Sequence, residues 1–112
     1  MCLEHRIITE EMGELRILAL VVKNGVFLIV SDAEYMIGTT AIALPLGGVQ
    51  GETASSIYPV FGVRNEILAK SIAERIAKKT NKTAIASVFI RRQDQEHVDN
   101  VLALLKKLME RL

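Results

Sequence analysis

The stretch LRILALVVKNGVFLIV, residues 15–30, decides the fold. Two apolar runs rich in β-branched residues flank Lys23-Asn24-Gly25, and Asn24 with Gly25 tolerates the positive φ angles of a two-residue turn, so the stretch predicts a β-hairpin. A strand with one wet face alternates polar and apolar side chains, because successive residues point to opposite faces. Here both parities are apolar. Leu15, Ile17, Ala19 and Val21 fall on one side, and Arg16, Leu18, Leu20 and Val22 on the other. Val26, Leu28 and Val30 likewise oppose Phe27 and Ile29. Such a hairpin needs a cover on each face.

Outward from the hairpin, residues 3–11 predict an edge strand that Gly13 ends. Residues 39–44 predict another strand, stopped by Pro45 and the Gly47-Gly48 pair. Residues 47–56 read as a mobile loop, and residues 57–61 as a short strand that Pro59 confines to an edge or a bulge. After Gly62 the apolar spacing changes to three and four, through Ile67, Leu68, Ile72, Ala73 and Ile76. That predicts a helix over 66–79, with Asn65 as N-cap, Lys78 and Lys79 in the last turn, and Asn81 as a left-handed stop. Residues 83–90 return to strand and are again apolar on both parities. Asp94 then caps a second helix, whose stripe is Val98, Val101, Leu102, Leu105, Leu108, Met109 and Leu112.

This order predicts an α+β fold over residues 1–112 as one domain, with a mostly antiparallel sheet of five or six strands and two helices on one face. Two helices, each roughly 10 Å wide, cover one face of such a sheet and not both. The other face would expose more apolar area than soluble monomers show, so it is expected to be buried in a dimer or larger assembly. The rival cover is the 47–56 loop, and long loops without secondary structure cover poorly. The residues expected at the self-association face are Leu18, Leu20, Val22, Phe27 and Ile29.

Composition excludes disorder, since 50% of the 112 residues are hydrophobic and only 7 Gly and 2 Pro interrupt them. The formal net charge of +1 gives no field for nucleic acid or an anionic membrane. Charge is unevenly spread: residues 1–60 hold 3 basic and 7 acidic side chains, residues 61–112 hold 11 and 6. Cys2 alone makes no internal disulfide, which points to a reducing compartment. The start has no signal-peptide pattern and no apolar run is long enough to span a bilayer, so the expected location is the cytoplasm.

Convergent chemistry is sparse. Cys2 and His5 supply at most two metal ligands, and His97, beside Asp94 and Glu96, reads as a solvated helix residue. Two histidines at opposite ends of the chain assemble no nucleophilic set with confidence in their geometry. Residues 47–51, GGVQG, lack the ending and the following helix of a phosphate loop. Lys78, Lys79 and Lys82 form a basic cluster without neighbouring aromatics for base stacking, which makes them candidates for a protein-partner surface, with helix capping as their ordinary role. No catalytic, cofactor-binding or metal residue is assigned, and the expected function is a non-catalytic interaction module rather than an enzyme. Two other classes remain open. One is a roadblock-like or longin-like dimeric regulator, which places a helix after the first or second strand; the other is a small ligand-binding protein with a pocket under the 47–56 loop.

Residues 72–90, IAERIAKKTNKTAIASVFI, carry a resemblance. The helix ending in Lys79-Thr80-Asn81-Lys82 and leading into an apolar strand is similar to the helix-to-strand junction of the proteasome assembly chaperone 3 and 4 family, most of all chaperone 4, over residues 68–112. The resemblance implies a non-catalytic protein with a six-stranded antiparallel sheet and two helices. It also implies a dimer, with itself or a paralogous chaperone, that assists assembly of the proteasome α-ring and meets α subunits as partners. The compact length fits an archaeal relative. Glu110-Arg111-Leu112 departs from the hydrophobic-Tyr-X tail by which other assembly chaperones dock into α-subunit pockets, so docking of that kind is not expected.

Overall fold

The computed structural model describes residues 5–45, 53–58, 65–92 and 94–112. Its elements are β1 (Arg6–Met12), β2 (Leu15–Val22), β3 (Gly25–Ser31), β4 (Thr39–Pro45), β5 (Thr53–Tyr58), α1 (Glu66–Thr80), β6 (Thr83–Phe89) and α2 (Gln95–Met109). They form an α+β fold with one six-stranded sheet in the order β1-β2-β3-β6-β4-β5. Only the β3–β6 pair is parallel; the others are antiparallel. The last strand thus enters the middle of the sheet.

The β1–β2 and β2–β3 hairpins use two-residue loops. Met12 opposes Leu15 around Gly13-Glu14, and Gly13 takes φ 61°, the position that a primed turn reserves for glycine. In the second hairpin Val22 opposes Gly25, so the loop is Lys23-Asn24 and Gly25 already belongs to β3. Neither Asn24 nor Gly25 has the positive φ that the sequence suggests; among the described residues only Gly13 and Asn81 do. Gly25 is needed for space instead. A Cβ there would lie 2.8 Å from the Thr83 carbonyl oxygen of the neighbouring β6.

Register defines two faces. Ile8, Ala19, Leu28, Ala86 and Ala41 form one row across five strands, and both helices cover this face. α1 lies over β4, β5 and β6, where Ala41, Ala43, Ala84 and Ala86 are fully buried. Ala69, Ala73 and Ala77 are the small residues on the helix side, so α1 approaches the sheet closely while Ile72 and Ile76 fill the space between. α2 lies over β1 and β2, burying Val101, Leu104, Leu105 and Leu108 against the side that carries Ile8, Leu15, Ile17 and Ala19. Each fully buried Leu or Ile contributes about 1.5–3 kcal/mol.

Cap geometry agrees with the sequence at two helix ends and departs at a third. Asp94 accepts from the His97 N–H at 3.2 Å, and Asn81 ends α1 in the left-handed region at φ 55°. Asn65 makes no side-chain cap bond. It is buried, its Nδ2 donates to the Val88 carbonyl at 3.3 Å, and so it ties α1 to β6 rather than capping the helix.

The sequence predicts a loop over 47–56, whereas Thr53–Tyr58 is an edge strand paired with β4. The small residues Ala54, Ser55 and Ser56 hide the strand in the sequence, and pairing with β4 supplies its ladder. Residues 47–52 and 59–61 lie outside the described residues.

The connection from Asp32 to Gly38 packs at the end of the sheet. The Gly38 N–H donates to Ser87 Oγ at 2.9 Å, and a Cβ on Gly38 would lie 2.2 Å from the Val88 carbonyl oxygen. Gly38→Ala is expected to lower stability by about 3 kcal/mol through overpacking. Gly13→Ala meets open space and costs about 1 kcal/mol, from backbone strain alone. Urea titration of both variants checks the ranking, and equal midpoints would contradict the close packing at Gly38.

Candidate association surface

Seen from the side without helices, the sheet carries an apolar row across five of its six strands, which ends at Ser56 of the edge strand β5. Ile7, Leu20, Phe27, Ile85 and Ile42 follow one another in register across β1, β2, β3, β6 and β4. Beside this row lie Leu18 and Ile29, with Val22 and Leu44 toward the other strand ends. Leu18, Leu20, Phe27, Ile29, Ile42 and Ile85 are half-buried, and Ile7 and Leu44 remain 62% and 47% exposed. The five residues Leu18, Leu20, Val22, Phe27 and Ile29 therefore share this helix-free face. Sequence reasoning missed Ile7, Ile42, Leu44 and Ile85 there, because strand order is what brings β1, β4 and β6 into line with the hairpin.

Over β4 and the first half of β6, side-chain size separates the two faces. β4 gives Ala41 and Ala43 to the helices and Ile42 and Leu44 to the open side; β6 gives Ala84 and Ala86 to the helices and Ile85 to the open side. Charge is almost absent from the open face. Among the described residues its charged members are Glu11 and Arg16, a cross-strand pair of opposite sign at one corner. Tyr35, Met36 and Ile37 are exposed on the connection at that end of the sheet. Burial, and then the nearby Glu11 charge, push the Tyr35 phenol up, with Arg16 acting the other way, so Tyr35 sits close to that corner.

Five inter-strand spacings and seven residues per strand give a face of roughly 24 × 23 Å, on the order of 550 Å² in projection. Polar positions such as Thr9, Thr40 and Ser87 share that area, so its apolar part is at the upper end of what a monomer shows and below the roughly 800 Å² that each partner gives to a stable interface.

The basic residues fall into separate places. Lys78 and Lys79 are exposed in the last turn of α1, and Lys78 shares a groove with Ile67, Lys70, Ser71, Glu74 and Arg75 on the outer side of that helix. Lys82, after the turn, instead lines a cleft with His5, Arg6 and Lys23. Among the described residues no group of three or more His, Cys, Asp and Glu is placed to hold a metal. No helix of the described residues is long and apolar enough to cross a membrane.

One polar cluster is buried, and sequence reasoning did not find it. His97 is not solvated: its side chain is 7% exposed, and Nε2 lies 3.2 Å from Asp32 Oδ2. Asp32, 2% exposed, also accepts from the Arg91 backbone N–H at 2.8 Å, the Arg92 backbone N–H at 3.3 Å and Arg91 Nε at 3.1 Å. The cluster ties the end of β3 to the turn between β6 and α2 and occupies the Asp32 oxygens with structural donors. The only available sequence signal was spacing, since His97 lies one turn before the buried Val101.

No protein-family model matches the chain, and no curated protein matches it in sequence. Its fold is similar to that of a chain in the crystal structure of a novel chaperone complex for yeast 20S proteasome assembly. The TM-score is 0.67 at 17% identity, over 98% of this chain and 94% of that one. At that identity the likeness is one of fold; six strands and two helices agree with what the residue 72–90 resemblance implies, whereas the wholly antiparallel sheet it implies is corrected by the parallel β3–β6 pair. The roadblock and longin order, with a helix after the first or second strand, differs from the order here, in which five strands precede α1.

Burial pushes the Asp32 carboxyl up, and hydrogen bonds from the Arg91 backbone and side chain and the Arg92 backbone reverse this, leaving it below the ordinary 3.8. A depressed carboxyl stabilises the fold above its unfolded-state pKa and loses that contribution as pH falls through the lower folded value. Asp32→Ala is expected to cost about 3 kcal/mol near neutral pH, because His97 and two backbone donors lose their acceptor. The gap to the native protein should narrow below about pH 4, as read by denaturant midpoints across pH. A pH-independent gap would contradict an ionised Asp32.

Proposed function

We propose that this protein is a non-catalytic interaction module that pairs through the helix-free face of its sheet, with a second copy or a related chain. Working in that paired form, it acts as an assembly chaperone for the proteasome α-ring. The observation that carries the reading is the uninterrupted row Ile7–Leu20–Phe27–Ile85–Ile42, which lies on the side opposite both helices. Such a row gains by leaving water against another apolar surface. Face-to-face packing of two sheets places them about 10 Å apart with side chains interdigitated, the arrangement these Leu, Ile and Phe side chains suit. The sparse charge on the face adds no repulsion between copies, because Glu11 and Arg16 have opposite signs. The assembly role draws on the fold likeness to the yeast proteasome-assembly chaperone chain and on the residue 72–90 resemblance. Proteasome α subunits are the proposed clients.

Light scattering at micromolar concentration is expected to give a dimer mass, or a complex with a co-purified related chain. Leu20→Asp with Phe27→Asp should convert it to monomer, since two charges buried at a packed interface cost several kcal/mol. Ile67→Asp, at a residue 87% exposed on α1, should leave the mass unchanged. A monomer without partner in the native protein overturns the pairing. Failure of the paired form to retain purified proteasome α subunits overturns the assembly role.

A further inference from the structure

At the sheet end that carries the start of β1, the Lys23-Asn24 turn and the entry to β6, a cleft of about 310 Å³ is lined by His5, Arg6, Val21, Val22, Lys23 and Lys82. Three of these residues are Arg or Lys, one is a histidine, two are aliphatic and none is acidic. His5, Arg6 and Lys23 are exposed and Lys82 is half-buried, and none of the four makes an ion pair with a described residue. Four other cations of the described residues are paired, Arg91 with Asp32, Arg92 with Asp94, and Lys107 and Arg111 with Glu10, so what marks the cleft is the convergence of its cations on one concavity. Like charges around one concavity repel one another within a Debye length and focus a positive potential into it.

We infer that this cleft docks an acidic peptide segment of a partner protein, with carboxylates on Arg6, Lys23 and Lys82 and an aliphatic side chain against Val21 and Val22. Arg6 offers a planar fork that takes a carboxylate bidentately, and the two lysines add mobile donors on either side. Val22 also belongs to the helix-free face, so a chain seated on that face reaches the cleft at its rim. Among the described residues the lining holds no Phe, Tyr or Trp, which disfavours stacking of nucleic-acid bases and favours a peptide. Val22 is the residue the cleft shares with the sheet face; the four polar groups of the cleft lie at the strand ends, off the apolar row.

The test is fluorescence anisotropy with a labelled peptide that alternates Glu and Val, at low and at physiological ionic strength. Arg6→Glu combined with Lys82→Glu should weaken binding by roughly tenfold or more, by placing like charges opposite the peptide. Lys70→Glu with Arg75→Glu, the same change in net charge on the outer side of α1, should stay within about twofold. Arg6→Gln with Lys82→Gln should show a smaller loss of the same sign, and this pair decides if the charge-reversed protein does not fold. Equal loss in the α1 variant, no binding of the peptide, or tighter binding of a single-stranded oligonucleotide of equal charge overturns the inference. Light scattering on the same samples keeps it separate from sheet-face pairing, because the cleft variants are expected to retain the native mass.

Discussion

Two α-helices about 10 Å across fill one side of a sheet roughly 24 Å wide, so a six-stranded sheet that is apolar on both sides outruns the cover its own chain supplies. The allocation of side chains follows from this limit. Alanines of β4 and β6 meet α1, where bulk would push the helix away, while Ile42, Leu44 and Ile85 face outward. Under α2 the sheet presents Leu15 and Ile17, larger residues matched by the Leu104, Leu105 and Leu108 stripe. The helix-covered side is thus closed within the chain. The outer side is left as the surface on which a partner makes the difference.

The same limit explains where polar groups are used. With few polar residues in the strands, the sheet end is secured by a handful of buried ones: Asp32 holding Arg91, Arg92 and His97, Ser87 holding Gly38, and Asn65 holding Val88. Each satisfies backbone or side-chain groups that burial would otherwise leave unpaired. At the outer edge Arg111 donates to the Thr9 carbonyl at 3.0 Å and to Glu10 at 2.9 Å, so the end of the chain clasps the exposed strand β1. An exposed strand edge invites pairing with other chains, and charged groups laid along it oppose that.

Much of the architecture was legible because it rests on local periodicity. The limits of β2, the switch to helical spacing after Gly62, the left-handed Asn81 and the Asp94 cap each depend on a few neighbouring residues. What stayed hidden depends on distant ones. The parallel pairing of β3 with β6 has no local signature, and with it went the alignment of Ile85 and Ile42 with Phe27. His97 looked solvated because its partner Asp32 lies 65 residues away. Gly25 looked like a turn residue, whereas its constraint comes from the Thr83 carbonyl. Lys82 was grouped with Lys78 by sequence distance, and the chain reversal at Asn81 sends it toward Arg6 and Lys23 instead.

The central position of β6 has a consequence for how the polypeptide reaches its native state. Its neighbours β3 and β4 are made well before it and have no ladder with each other, so each keeps an open flank until residues 83–89 arrive. During synthesis the first three strands wait as a meander, and the β4–β5 hairpin waits separately. Long-range pairing of this kind closes slowly, and the waiting flanks are aggregation-prone. A protein proposed to escort the building of another complex is thereby itself closed by a keystone made after its five other strands.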